Sequence, residues 1–126
     1  MARSPLVLEN ATRGTTVAQR VEAGESFWAR FRGLMGRRSL APHDGLWLPH
    51  ASSIHMLFMR FPIDCAFLSK PEPGGARRVV AVRRGLPAWR GVVWWARGAD
   101  GVVELPVGAL AGSGTEVGDL VTLRPL

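Results

Sequence analysis

Apolar and polar positions along this chain change over in short runs broken by turn residues, and only one segment carries helical spacing. Leu6 to Glu9 and Thr15 to Val21 read as strands joined by a turn at Thr12-Arg13-Gly14. Phe27, Phe31, Leu34 and Met35 recur at three- and four-residue intervals after Ser26, a residue that caps helices, while Arg30, Arg32 and Arg37 fall on the other side. This predicts a short amphipathic helix over about 27–35, with Gly33 leaving room for a close neighbour and Gly36 ending it. His43-Asp44-Gly45 is a turn before the strand Leu46-Trp47-Leu48. His55 to Met59 and Ile63 to Leu68 are strands around Pro62, which lacks an N–H and belongs at a strand start or edge.

Further on, Val79 to Val82 is apolar on both faces between arginine pairs, as in a strand covered on two sides. Val92 to Ala96 and Val102 to Leu105 flank a hairpin loop at Arg97-Gly98-Ala99-Asp100-Gly101. Val107 to Ala111 forms a helical turn, Gly112-Ser113-Gly114 a flexible link, and Val117-Gly118-Asp119 a turn before a last strand, Leu120 to Leu123. Many short strands with frequent turns and one helix make a β-rich α+β fold. The expected architecture is a small, partly closed barrel, or a sandwiched antiparallel or mixed sheet, in one domain with its core over about 6–124.

Composition narrows the picture. At 126 residues and 47% hydrophobic content the chain can bury a real core. A single cysteine, Cys65, rules out an internal disulfide and a cysteine zinc site. No segment is long and apolar enough to span a bilayer, and the first ten residues lack a signal-peptide core, so the chain as given reads as cytoplasmic, with export requiring a leader removed from it. Asn10-Ala11-Thr12 fits a glycosylation acceptor, which matters only in a secreted eukaryotic protein. The net charge is +6, and fifteen of the sixteen basic residues are arginine, scattered as pairs with no long block. A solvated basic surface is the simpler reading, and arginine-mediated nucleic-acid binding the less favoured one.

Candidate chemistry concentrates in Ser53 to Leu68, an apolar run that carries His55, Arg60 and Asp64. Charged groups in such a run must pair, cap the backbone or line an opening to solvent. His55, Asp64 and Glu104 are the candidate catalytic residues of a hydrolase- or lyase-like enzyme, since a carboxylate beside an imidazole supports acid–base work. The competing reading has Asp64 capping backbone and the other two as surface or network residues. His43, His50, His55 and Asp44 have no standard metal-ligand spacing and read as turn and strand-end residues, so no metal is expected. Neither a Walker loop nor a dinucleotide fingerprint is present, and no cofactor is expected. Of the adjacent Trp94 and Trp95, opposite faces of a strand put one towards the core and one towards solvent, where it can stack on a ligand.

Three stretches share an order and spacing with a known family. They are Arg32-Gly33-Leu34-Met35-Gly36-Arg37, then Phe58-Met59-Arg60-Phe61-Pro62-Ile63-Asp64 with Phe67-Leu68, then Val103 to Gly108 with Val117-Gly118-Asp119-Leu120-Val121. This pattern, spanning Phe27 to Leu123, resembles the bacterial and archaeal family of unknown function DUF192. The resemblance implies a small β-rich domain with Gly33, Leu34, Met35, Pro62, Gly108, Gly118 and Asp119 as its motif residues, and no established activity. Many relatives carry Trp-Met-Lys-Asn-Thr before the Pro-x-Asp element, whereas this chain has Phe58-Met59-Arg60-Phe61.

The leading functional expectation is a non-enzymatic ligand-binding or accessory domain. Its shallow pocket is lined by Met59, Arg60, Asp64 and aromatic rings, Trp94 among them, and Arg60 gives a charge-assisted hydrogen bond to a small or polymeric anionic ligand. The oligomeric state is not encoded in any feature of the sequence.

Overall fold

The computed structural model describes residues 5–23, 41–50, 53–55, 62–87 and 93–126, with 53–55 and 93–95 described through their backbone alone. The strands are β1 (Leu6–Asn10), β2 (Thr15–Ala23), β3 (Asp44–Pro49), β4 (Ser53–His55), β5 (Ile63–Leu68), β6 (Arg77–Leu86), β7 (Val93–Trp95), β8 (Gly101–Leu105) and β9 (Leu120–Pro125). A five-residue helix, α1 (Ala109–Ser113), lies between β8 and β9. The amphipathic helix expected over 27–35 falls outside the described residues.

Seven strands close into a barrel in the order β1-β2-β3-β8-β5-β6-β9, with β9 returning to β1. All neighbours are antiparallel except β2 and β3. The β-rich fold expected from the pattern is therefore present, with the barrel closed. Closure removes the exposed strand edges that an open sheet of this size would carry. The seam between β6 and β9 is short, Arg77 opposite Val121 and Arg78 opposite Leu120.

The pleat sorts the chain into two apolar layers. Val17, Val21, Trp47, Ala66, Leu68, Val79, Val103, Leu105 and Val121 fill the barrel with Leu110 of α1, which is fully buried. Residues of opposite parity, among them Leu46, Leu48, Ile63, Cys65, Phe67 and Val102, form a second cluster on the outer face of β3, β8 and β5. Both faces of β5 are thus buried along its whole length. Trp47 packs against Gly101, where a Cβ would overlap the outer edge of the indole ring, and Arg77 stacks on the same ring at 4.9 Å.

Two local expectations are corrected. The residues 97–101 do not close a hairpin: β7 pairs with β4 in a separate two-stranded sheet, whereas β8 lies between β3 and β5 in the barrel. Turn residues mark where the chain bends, and the next strand takes the partner that buries its faces. Nor is 112–114 a flexible link. Gly112 and Ser113 are the last turn of α1, and Gly114 closes it in the left-handed conformation, φ 71°, donating its N–H to Ala111 O. β6 is also longer than Val79 to Val82; Val79 and Val82 pack on the inner cluster and Val80 and Ala81 on the outer one, so both faces are covered, with Val80 to Val82 half-buried. No helix among the described residues is long and apolar enough to cross a membrane.

Candidate functional site

Asp64 is the polar centre of one end of the barrel. It is 1% exposed and points into the barrel end, towards Leu110. Opposite it the β5–β6 ladder is irregular: Ile63 pairs with Leu86 and Cys65 with Arg83, so that Arg84 and Gly85 together face Asp64. Gly85 has φ 61°, a backbone state that suits glycine in such a bulge. Its N–H leaves the ladder and donates to Asp64 Oδ1 at 2.9 Å. The other carboxylate oxygen accepts the N–H of Gly108 at 3.0 Å and that of Leu110 at 3.4 Å. Gly108, with φ 98°, precedes α1, so a side chain 46 positions away caps the helix. The amides held by Asp64 belong to β6 and α1, not to the residues after Pro62, which is exposed and immediately precedes β5.

Above this carboxylate lies an open groove of about 370 Å³. One wall is the turn from β8 into α1, Pro106 to Ala109, continued by Gly112 and Ser113. The facing wall is Thr16 and Val17 of β2 with Pro42 and His43 before β3. His43 sits at φ 69°, a conformation histidine tolerates better than most residues but one that still costs energy. It is fixed because its carbonyl accepts the N–H groups of Gln19 at 2.8 Å and Arg20 at 3.1 Å. The base is tied by Thr15, whose hydroxyl donates to Ser113 O at 2.7 Å. Val107, 55% exposed, forms the lip. The described lining has no Phe, Tyr or Trp, and His43 is both its sole titratable side chain and its sole aromatic ring.

Glu104 stands on the opposite face of the sheet from Asp64. Cys65 pairs with Glu104, whereas Asp64 pairs with Leu105, and successive side chains alternate across a strand. The two carboxylates therefore do not converge, and the acid–base arrangement expected of His55, Asp64 and Glu104 lacks a shared opening for that pair. Glu104 is 6% exposed, and its Oε2 has no hydrogen-bond partner among the described residues. Burial pushes its carboxyl up to about 7. Neighbouring Cys65 is fully buried, and burial together with the Glu104 carboxylate pushes its thiol up to about 12. That disposes of Cys65 as a nucleophile at neutral pH.

A second polar cluster joins the first turn to the last. Asp119 Oδ2 accepts hydrogen bonds from Asn10 Nδ2 at 2.9 Å, Arg13 Nε at 3.0 Å and the Glu116 N–H at 3.0 Å. The Arg13 and Asn10 bonds hold its carboxyl down at about 2. Asn10, 1% exposed, also donates to Thr115 Oγ1, so it is no glycosylation acceptor. Gly118, at φ 96°, forms the turn with Asp119 that the sequence predicts before β9. Asn10, Thr115 and Asp119 are buried and Arg13 lies over them at the surface, so the cluster braces the fold.

Of the other sequence candidates, Met59, Arg60, Gly33, Leu34 and Met35 lie outside the described residues. His55 and Trp94 are adjacent on paired strands, Ile54 opposite Trp94 and His55 opposite Val93, with their side chains outside the description. Among the described residues no three His, Cys, Asp or Glu side chains gather as metal ligands. Of the groove residues, the sequence marked His43, read as a turn histidine, and Gly108 of the family motif; Asp119 also stood in that motif, but neither the groove nor the Asp119 network was anticipated.

The DUF192 family model, described as "Uncharacterized ACR", matches residues 8–123. The chain belongs to the DUF192 family. Relatives of this DUF192 protein include a UPF0127 protein of Thermococcus sibiricus, 36% identical over an alignment of 117 positions that covers 90% of this chain and 71% of that protein. A second UPF0127 protein, from Thermococcus kodakarensis, is 32% identical over 92% of this chain and 72% of its own. Among solved structures, a "putative transcription regulator" from Sinorhizobium meliloti 1021 superposes with a TM-score of 0.76 at 22% identity, covering 95% of this chain and 92% of its own. A protein of unknown function from Novosphingobium aromaticivorans reaches 0.70 at 21% identity, covering 93% and 82%. At these identities the structures share the DUF192 fold, and the family is one of unknown function.

Proposed function

We propose that this DUF192 chain is a non-enzymatic binding domain that takes a small aliphatic ligand with an anionic or hydrogen-bond-accepting head into the groove between Pro42-His43 and Pro106–Ala109. The observation that carries the reading is the groove itself, about 370 Å³ with one wall held by a buried carboxylate. That volume lies in the range of small-molecule sites. Val17, Pro42, Pro106, Val107 and Ala109 offer an aliphatic lining, and Thr16, His43 and Ser113 polar edges. With the His43 imidazole as the one aromatic ring in the described lining, the groove offers no extended stacking platform for a base, sugar or aromatic ligand. Net charge +6 favours an anionic head. Nucleic-acid binding is weakened as an alternative, because Arg13, Arg78 and Arg124 are each spent on a carboxylate.

The test is a ¹H–¹⁵N titration with 4-methylpentanoate, paired with the neutral alcohol of the same skeleton. Amide shifts confined to Thr16, His43, Gly108 and Ser113 support the proposal; their absence with both probes overturns it. Gly112 has open space where a side chain would project, so Gly112→Leu fills the groove and abolishes those shifts in a folded protein. His43→Gln and Arg60→Ala assign the anionic head: whichever weakens the acid and spares the alcohol supplies the contact.

A further inference from the structure

We propose that Asp64 is the positioning residue of this groove, and that its carboxylate couples the groove wall to the β6 bulge. The inference rests on the binding reading above and adds how the site is held and where its occupancy is felt. Asp64 is not among the residues that line the groove. It lies beneath the wall, 1% exposed, and its two oxygens serve two different segments. Oδ2 takes the amides of Gly108 and Leu110, which set the path of the wall into α1. Oδ1 takes the amide of Gly85, which does not line the groove. A carboxylate held on both oxygens cannot turn about its terminal bond without breaking one set, so a displacement of the Gly108 amide is transmitted to Gly85. Charge-assisted bonds in a buried site are among the stronger ones available for such a link.

An amide in place of the carboxylate cannot reproduce this. Asparagine has one acceptor oxygen, and in either orientation its NH₂ would meet a backbone N–H donor. Asp64→Asn, almost identical in shape, therefore releases either the wall or the bulge. Glu104→Gln is the control, a buried carboxylate altered on the opposite face of the same sheet.

The experiment is amide hydrogen exchange and 4-methylpentanoate titration on wild type, Asp64→Asn and Glu104→Gln. In Asp64→Asn, exchange at Gly85, or at Gly108 with Leu110, should quicken by at least about tenfold beyond the global change. Affinity for the probe should fall by about tenfold or more, while Glu104→Gln keeps its affinity. In wild type the probe should slow exchange at Gly85 together with Gly108. A folded Asp64→Asn protein with wild-type exchange at all three amides overturns the proposal. So does bound probe that protects Gly108 and leaves Gly85 unmoved, a result that spares the binding reading. If the probe does not bind, the binding reading falls, and the exchange arm alone decides the clasp. An Asp64→Asn chain that fails to fold, alongside a wild type that takes no probe, withdraws it.

Discussion

Glu104 makes the stability of this protein depend on pH in a direction opposite to the usual carboxylate. The folded state holds its proton up to about pH 7, whereas an ordinary glutamate releases it near 4.5. Below 4.5 both states are protonated and the burial of Glu104 carries no charge penalty. Between 4.5 and 7 the unfolded chain loses a proton that the folded chain keeps, so raising the pH draws the equilibrium towards unfolding. Above 7 the penalty is complete, at about 3 kcal/mol for that gap in proton affinity. Of this, about 2.5 kcal/mol should be lost between pH 5 and pH 8. The row across the outer face is Glu22, Leu46, Glu104, Cys65 and Arg83. Cys65 in that row is displaced to about 12, beyond the window. The assay is urea unfolding followed by tryptophan fluorescence and circular dichroism from pH 5 to 8.5. Glu104→Gln should match wild type within about 1 kcal/mol at pH 5 and exceed it by about 2–3 kcal/mol at pH 8. A Glu104→Gln variant with the wild-type pH slope, or a wild type whose stability is flat over this range, would refute the reasoning.

Other expectations concern the supports of the fold. Asp119 acts in the opposite sense: its contribution is present above the ordinary 3.8 and is lost as the pH falls towards about 2, so acid unfolding monitored from pH 5 to 1.5 should be shallower in Asp119→Asn. That variant should also cost about 2–3 kcal/mol at pH 7 in urea, the loss of charge-assisted bonds from Asn10 and Arg13. Gly101→Ala should lower stability by about 1–3 kcal/mol or abolish folding, because its methyl would enter the Trp47 ring; an unchanged melting temperature would contradict the packing described. Cys65 should resist a thiol reagent at pH 8 in the native protein and react at once in denaturant, and rapid native labelling would show that it is not sealed.

Much of the barrel could be read from the chain because a strand writes its burial into alternate residues. Ile63 to Leu68 was found with its boundaries intact, and the turns at Thr12-Arg13-Gly14 and Val117-Gly118-Asp119 were marked by their own residues. Pairing was less legible. β7 and β8 are close in sequence with a good turn between them, yet each takes a distant partner. Of the candidate site, the sequence flagged Asp64 and Glu104 as polar residues in apolar strands, which their burial explains. It had no means of seeing that Asp64 is engaged by amides of residues 85, 108 and 110, because backbone donors leave no signature in side-chain identity. The groove is likewise assembled from segments around residues 16, 42 and 106–113, none unusual alone.

The ring closes by laying β9, the last strand in the sequence, against β1, the first, from Leu6 opposite Pro125 to Asn10 opposite Val121. A ribosome releases β1 and β2 long before β9 exists, so the nascent cylinder stays unzipped on that side until β9 emerges. Such end-to-end dependence gives a high mean separation between contacting residues and a slow last step in folding. Until that step two strand borders, one on β1 and one on β6, are open to the wrong partner, which makes the interval before β9 docks the time when this chain is most exposed to aggregation.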